Sequence, residues 1–200
     1  MPDIQKLQKN LELHGFKTSC FDTAEEACAY LDGLLDGATI GFGGSITIRD
    51  MGLYDRLKAH NNCLWHWDTA SGVSPAQANA APVYISSING VAETGELVNI
   101  DGTCNRVSAS VFNLEKLFVI IGENKISPDF DSALWRARNI AAPLNARRLG
   151  RKTPCALSDD MKCYNCASPD RICSALTVLM QKPFSVKEAE VIIIRQDLGY

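Results

Sequence analysis

The 200-residue chain is long enough for one domain with a sizeable core, and 46% hydrophobic with 22% charged residues places it in the globular range, away from intrinsic disorder. A net charge of −3, with basic residues scattered, excludes the electrostatic footprint of a nucleic-acid binder. No apolar run reaches the roughly eighteen residues that cross a bilayer, and the polar start Met1–Lys6 lacks a signal-peptide core, so a cytoplasmic chain with reduced thiols is expected.

In chain order, residues 3–14 read as an amphipathic helix with Ile4, Leu7 and Leu11 on one stripe and Gly15 as its stop. Phe16–Phe21 reads as a strand. Thr23-Ala-Glu-Glu26 fits a capping box that opens a helix to about Leu35. The apolar run Ala38–Phe42 predicts a buried strand, Gly43-Gly44-Ser45 a turn, and Ile46–Met51 the start of a helix. Asn62–Trp67 fits a further strand, and Ser71–Ala81 a helix or a long loop. Pro82–Ser87 and Glu96–Ile100 read as strands, with a turn at Glu93-Thr-Gly that suggests a hairpin over 83–100. Leu117–Gly122 is a strongly apolar strand. Ser127-Pro-Asp129 starts a helix that should end near Ala141, where Pro143 interrupts. Ser168-Pro-Asp170 repeats that start signal for a helix to about Met180, and Val191–Ile194 is the last buried strand. Strands alternating with helices predict an α/β fold whose mainly parallel sheet carries helices on both faces. One domain spans 1–200, with a polar, cysteine-bearing excursion at about 150–175.

Two loops have the composition of a ligand site. Gly43-Gly44-Ser45 follows a buried strand and precedes a helix, where backbone N–H groups, Ser45 and Thr47 can face an anion. A tight structural turn explains the same residues equally well. Asp101-Gly102-Thr-Cys-Asn105-Arg106 gathers a carboxylate, an amide and a guanidinium beyond the strand that bears Glu96 and Asn99. A local Asx turn with Arg106 paired nearby is the competing account.

The blocks Ile-Gly-Phe-Gly-Gly-Ser, Ile-Asp-Gly-Thr-Cys-Asn-Arg, Ile-Gly-Glu-Asn-Lys-Ile-Ser-Pro-Asp, Arg138–Arg147 and Arg195-Gln-Asp-Leu-Gly occur in one order along the chain. In this they resemble the LUD (lactate utilisation) domain family. The resemblance implies a fold like that of the ribose-phosphate isomerase, coenzyme A transferase and formyltetrahydrofolate cyclo-ligase group. It also implies a part in oxidising lactate to pyruvate, as one component of a multi-protein, iron–sulfur-associated system. The positions it carries over as ligand-binding are Gly43, Gly44, Ser45, Asn99, Gly102, Asn105, Arg106, Asn124, Lys125 and Arg138, with Glu96 and Asp101 as the candidate catalytic carboxylates. Cys104 stands where the family has glycine, which either adds a thiol to the pocket or alters a close backbone approach.

Four of the eight cysteines, Cys155, Cys163, Cys166 and Cys173, fall within nineteen residues. A Cys-x-x-Cys pair with two outlying thiolates is a soft ligand set, and a helix opening at Ser168 would favour the thiolate forms. A [4Fe–4S] cluster, a structural zinc ion and four unliganded thiols are the three readings. Of the dispersed cysteines, Cys20, Cys28 and Cys63 read as small buried hydrophobes. The patch Arg147, Arg148, Arg151 and Lys152 reads as a solvated helix end. His14, His60 and His66 read as surface or core histidines, and Trp65-His-Trp67 as an aromatic strand or a pocket cover.

The leading expectation is a redox-associated component of 2-hydroxy-acid metabolism, holding a metal cluster and a small anionic ligand, with other iron–sulfur proteins as partners. A stand-alone isomerase-, transferase- or ligase-like enzyme using Glu96 or Asp101 is the first alternative. A non-catalytic subunit with a structural zinc site is the second. Oligomerisation is open; nucleic acid and membrane are not expected as partners.

Overall fold

The computed structural model describes residues 1–200. Helix α1 (Ile4–Leu13) is capped by Asp3, whose carboxylate accepts the Lys6 N–H, and it buries Leu7 and Leu11. Strand β1 (Lys17–Phe21) leads to α2 (Ala24–Leu34), opened by the Thr23/Glu26 capping box. Then come β2 (Thr39–Phe42), α3 (Ile46–Asp50), α4 (Leu53–Lys58), β3 (Asn62–Trp65), α5 (Pro75–Asn79) and β4 (Val83–Ser86). A hairpin of β5 (Gly90–Ala92) and β6 (Leu97–Asp101) precedes α6 (Asn105–Val111), β7 (Leu114–Gly122) and β8 (Ile126–Ser127). Helices α7 (Phe130–Arg136) and α8 (Ala142–Arg148) flank a π-helical turn, Ala137–Ala141. The short α9 (Pro154–Leu157), β9 (Ala175–Leu179) and β10 (Val186–Ile194) complete the chain.

Six strands form an all-parallel sheet in the order β1-β10-β7-β4-β2-β3, as the α/β expectation requires. Its central strands β7 and β10 are buried on both faces, which explains their near-continuous apolar runs. The period of two sorts their side chains: Phe118, Ile120, Ile192 and Ile194 join the core with α2 and α4. Leu117, Val119, Ile121, Val191 and Ile193 join the opposite core with Leu7 and Leu11 of α1. Each such leucine or isoleucine contributes about 1.5–3 kcal/mol relative to an exposed one. No helix is long and apolar enough to cross a membrane.

A second sheet of four strands, β8-β5-β6-β9, was not expected from the sequence. The anticipated hairpin over 83–100 divides accordingly: β4 belongs to the parallel sheet, and only β5 and β6 pair with each other. The helix expected from Ser168 to Met180 is absent. Ser168 Oγ instead accepts the Asp170 N–H, the Asp170 carboxylate accepts the Lys152 N–H, and Ala175–Leu179 pairs antiparallel with Asp101–Leu97. The start signal is thus consumed by a loop, and the β-branched Thr177 and Val178 satisfy the open edge of β6. Pro143 does not stop the preceding helix. It lies in the first turn of α8, and the π-helical turn before it absorbs the missing donor and the ring's bulk.

Candidate functional site

A cavity of about 420 Å³ opens beyond the C-terminal ends of the parallel strands. Gly44, Ser45 and Thr47 after β2, Ser87 to Asn89 after β4, and Lys125 after β7 form its floor. This is where ligands sit in parallel α/β sheets. Asp101, Gly102, Asn105 and Arg106 form one side, and Arg148, Arg151 and the Asp170–Ile172 stretch form the rim.

Gly43 and Gly44 are required for close packing rather than for an unusual φ. A Cβ on Gly44 would lie 2.9 Å from the Trp67 indole nitrogen, and one on Gly43 would lie 2.5 Å from Ser86 Oγ and 2.9 Å from Arg106 Cγ. Gly44 therefore lets Trp67 form a wall, and Gly43 admits the Arg106 side chain. Ser45 caps α3 by accepting the Ile48 N–H. Thr47 accepts a hydrogen bond from Lys125 Nζ at 2.9 Å and donates to the Leu198 carbonyl.

Lys125 is the chemical centre of the floor. Its side chain is 3% exposed, and Nζ donates to Thr47 Oγ1, Ser87 Oγ at 2.8 Å and the Ile88 carbonyl at 3.1 Å. No carboxylate pairs with it. Burial pushes its pKa down to about 7, with the Arg136 and Arg106 charges adding to the effect.

Asp101 lies at the end of β6 and is buried; its Oδ2 accepts the N–H groups of Arg106 at 2.9 Å and Val107 at 3.4 Å, with Arg106 Nε at 3.6 Å. It thereby anchors α6 and orients Arg106, whose Nη2 also donates to the Ile100 carbonyl. Cys104 takes a left-handed φ of 65°, which accounts for the glycine expected there, and its thiol lies against the Asp101 and Gly102 carbonyls outside the cavity.

Of the residues singled out in the sequence, Gly44, Ser45, Thr47, Asp101, Gly102, Asn105, Arg106 and Lys125 come together here. Glu96 does not; it accepts the Thr94 hydroxyl in the β5–β6 turn. Asn99 is buried beside Ser86 and Ser87 in a separate small cavity. Asn124 fastens the C-terminal segment by accepting the Leu198 N–H and donating to the Gly199 carbonyl. His66, read from sequence as a bland histidine, lines the cavity with Nδ1 buried and unpartnered. Burial lowers its pKa, against the opposing effect of Asp101 and with Arg106 adding to it. Asn105 Nδ2 is a second unpartnered polar atom on the same wall. Arg148 stacks over Trp67 at 5.3 Å instead of ending in solvent.

Beside this cavity lies another of about 290 Å³, lined by Cys155, Cys163, Cys166 and Cys173 together. Arg138 belongs here, donating to Cys163 Sγ at 3.7 Å and Asn165 Oδ1 at 3.4 Å. The Asn165 N–H also points at Cys163 Sγ, and Thr153 Oγ1 is 3.3 Å from Cys155 Sγ. Arg171 clamps the loop by donating to the carbonyls of Cys166 at 2.7 Å and Cys173 at 3.0 Å. Burial raises the pKa of Cys173; Arg171 opposes this, while the other three thiols add to it. All eight cysteines are free of disulfides. No three Cys, His, Asp or Glu side chains are grouped tightly enough for a single metal ion. One zinc ion would need its thiolates at about 2.3 Å, hence nearly touching one another. The four thiols line one cavity with no carboxylate among them, the donor set that an iron–sulfur cluster takes, and Arg138 and the Asn165 N–H are directed at Cys163.

Ile100, Ala142, Arg171 and Ile172 line both cavities. Among curated proteins no match was found. A crystal structure of a DUF162 family protein from Deinococcus radiodurans is similar across 96% of this chain and 95% of its own, at 14% identity and a TM-score of 0.56. The likeness establishes the shared α/β fold. The sequence profile of the LUD domain matches residues 4–194, and the chain belongs to the LUD domain family.

Proposed function

We propose that this LUD-domain protein is a redox-associated component of 2-hydroxy-acid utilisation that binds a small anionic ligand beside a cysteine-held [4Fe–4S] cluster. The observation that carries the reading is the shared wall: a basic cavity and a cavity lined by four thiols meet at Ile100, Ala142, Arg171 and Ile172. Lactate or a related acid is the ligand class in keeping with the family resemblance. Its carboxylate can face Lys125 on the floor and Arg106 at the side.

Cys155, Cys163, Cys166 and Cys173 would hold the cluster, which supplies one-electron transfer when bound. Arg138 and the Asn165 N–H stabilise the charge on Cys163, and Arg171 fixes the backbone at Cys166 and Cys173. A base or nucleophile role for Glu96 gains no support, because that residue stands outside the cavity.

Protein purified without oxygen should be brown, contain iron and acid-labile sulfide in equal amounts, and lose both when Cys163 and Cys166 are changed to serine. Colourless protein without iron would remove the cluster from this reading. Zinc bound in equal number to the chains would put a structural ion in its place.

A further inference from the structure

The chain's net charge is −3, yet the basic cavity presents five cationic side chains against two acidic ones, Asp101 and Asp170. Arg106 is paired with Asp101, but Lys125, Arg148, Arg151 and Arg171 have no carboxylate partner. These four fall into two groups. Lys125 is buried on the floor, and the three arginines stand at the rim.

We infer that Arg148, Arg151 and Arg171 form an outer anion subsite, so that the ligand of this cavity is a hydroxy acid carrying a second anionic group. The inference rests on the anion-binding reading of the cavity and narrows the substrate class. Three observations converge. The volume of about 420 Å³ lies in the range that buries drug-sized ligands and is far more than a three-carbon acid fills. The inner end is served by one buried ammonium with hydroxyls beside it, which suits a single carboxylate. The outer end is served by guanidinium groups that the fold leaves with spare donors. Arg171 uses Nε and Nη1 on the Cys173 and Cys166 carbonyls and keeps Nη2 free, Arg148 lies over Trp67 with Nε and Nη2 on Asn145 Oδ1 and keeps Nη1 free, and Arg151 makes no side-chain bond at all. Planar guanidinium forks at a half-open mouth match a phosphate monoester or a second carboxylate.

The test uses the full chain and three probes: lactate as the mono-anion, malate for a second carboxylate, and 3-phosphoglycerate for a phosphate. Titration calorimetry at low ionic strength should show malate or 3-phosphoglycerate binding about tenfold or more tighter than lactate, as one added charge-assisted contact implies. Which of the two leads identifies the outer group. Arg151→Ala and Arg151→Glu, at an exposed position without internal partners, should shrink that preference in order. Arg148→Ala should shrink it too, with folding confirmed by far-ultraviolet circular dichroism and an unchanged thermal melt. Equal affinity for all three probes, or a preference that survives the arginine substitutions, would overturn the outer subsite while leaving a simple anion cavity. Failure of every probe to bind would remove the anion-binding reading itself.

Discussion

Replacing Lys125 by methionine should make the protein more stable in mildly acidic solution and less stable in alkali. Burial, with help from Arg136 and Arg106, pushes the Lys125 pKa from 10.5 to about 7. The unfolded chain keeps this proton up to the ordinary lysine value, whereas the folded chain gives it up near neutrality. Below pH 7 both states are protonated, and the folded state bears the full cost of the buried charge, at most about 5 kcal/mol at ~1.4 kcal/mol per pKa unit. Between about pH 7 and 10.5 the unfolded state binds more protons, so stability rises with pH until the cost is gone. Methionine keeps the volume and removes that slope, but it leaves the Ile88 carbonyl without its donor, a loss of about 1–3 kcal/mol. The difference between variant and parent should therefore be about +2 to +4 kcal/mol at pH 6, change sign between about pH 8 and 10, and settle at about −1 to −3 kcal/mol above that. Urea unfolding of both proteins from pH 6 to 10.5 measures the difference directly and cancels the other titrating groups. A difference that stays constant across that range would refute the claim that a buried, unpaired ammonium occupies the cavity floor.

The same group makes anion binding proton-coupled. Lactate or malate should take up a fraction of a proton on binding at pH 8, and affinity should fall as pH rises through and above 7; calorimetry in buffers of differing ionisation enthalpy reads this, and zero uptake would detach Lys125 from the ligand. Asp101→Asn should keep most of the stability while Asp101→Ala loses about 1–2 kcal/mol, because the carboxylate's structural task is to accept the Arg106 and Val107 N–H groups; equal thermal melts for the two variants would contradict that role. In Gly102→Ala the new Cβ would lie 2.7 Å from the Ile172 carbonyl, so the loop and the cysteine segment must part. That variant should weaken both anion binding and metal retention, and a loss at one site alone would count against the shared wall.

Local features of the fold were legible because their causes are local. The Thr23/Glu26 capping box, the amphipathic stripe of α1 and the apolar runs at β2, β7 and β10 all follow from spacing within one element. The errors arose where one local signal serves two structures. Ser168-Pro-Asp170 fits a helix start, but Asp170 satisfies a backbone N–H at Lys152, eighteen residues upstream, and β6 recruits the following residues as its outer partner. Half of the candidate site was readable as loops that follow strands. The rest depends on chain crossings that no spacing records. Arg148 has the sequence context of a solvated helix end, and only the return of residues 169–172 makes a rim there. His66 gains meaning from Asp101 at the end of β6 and Arg106 in α6, and the burial of Lys125 depends on hydroxyls from α3 and from the end of β4.

The two cavities are mechanically one unit, and this fixes the sign of their coupling. The Ser174 N–H donates to the Asp101 carbonyl at 3.0 Å, Gly102 admits the Ile172 carbonyl, and Arg171 ties Cys166 to Cys173. An anion on the free Nη2 of Arg171 need not break the bonds that Nε and Nη1 make to those carbonyls. It immobilises the guanidinium, and with it the backbone that presents two of the four thiols. Ordering that has been achieved at one site is not required again at the other, so the coupling is positive, and linkage makes it reciprocal. Malate should therefore slow the removal of metal by a chelator, and the metal-loaded protein should bind malate more tightly than the apoprotein. Arg171→Lys keeps the charge but loses the fork, and should abolish the mutual effect even where each site still binds. Faster metal loss with malate present would mean that the anion pulls Arg171 off the carbonyls, and the coupling would then run in the opposite direction.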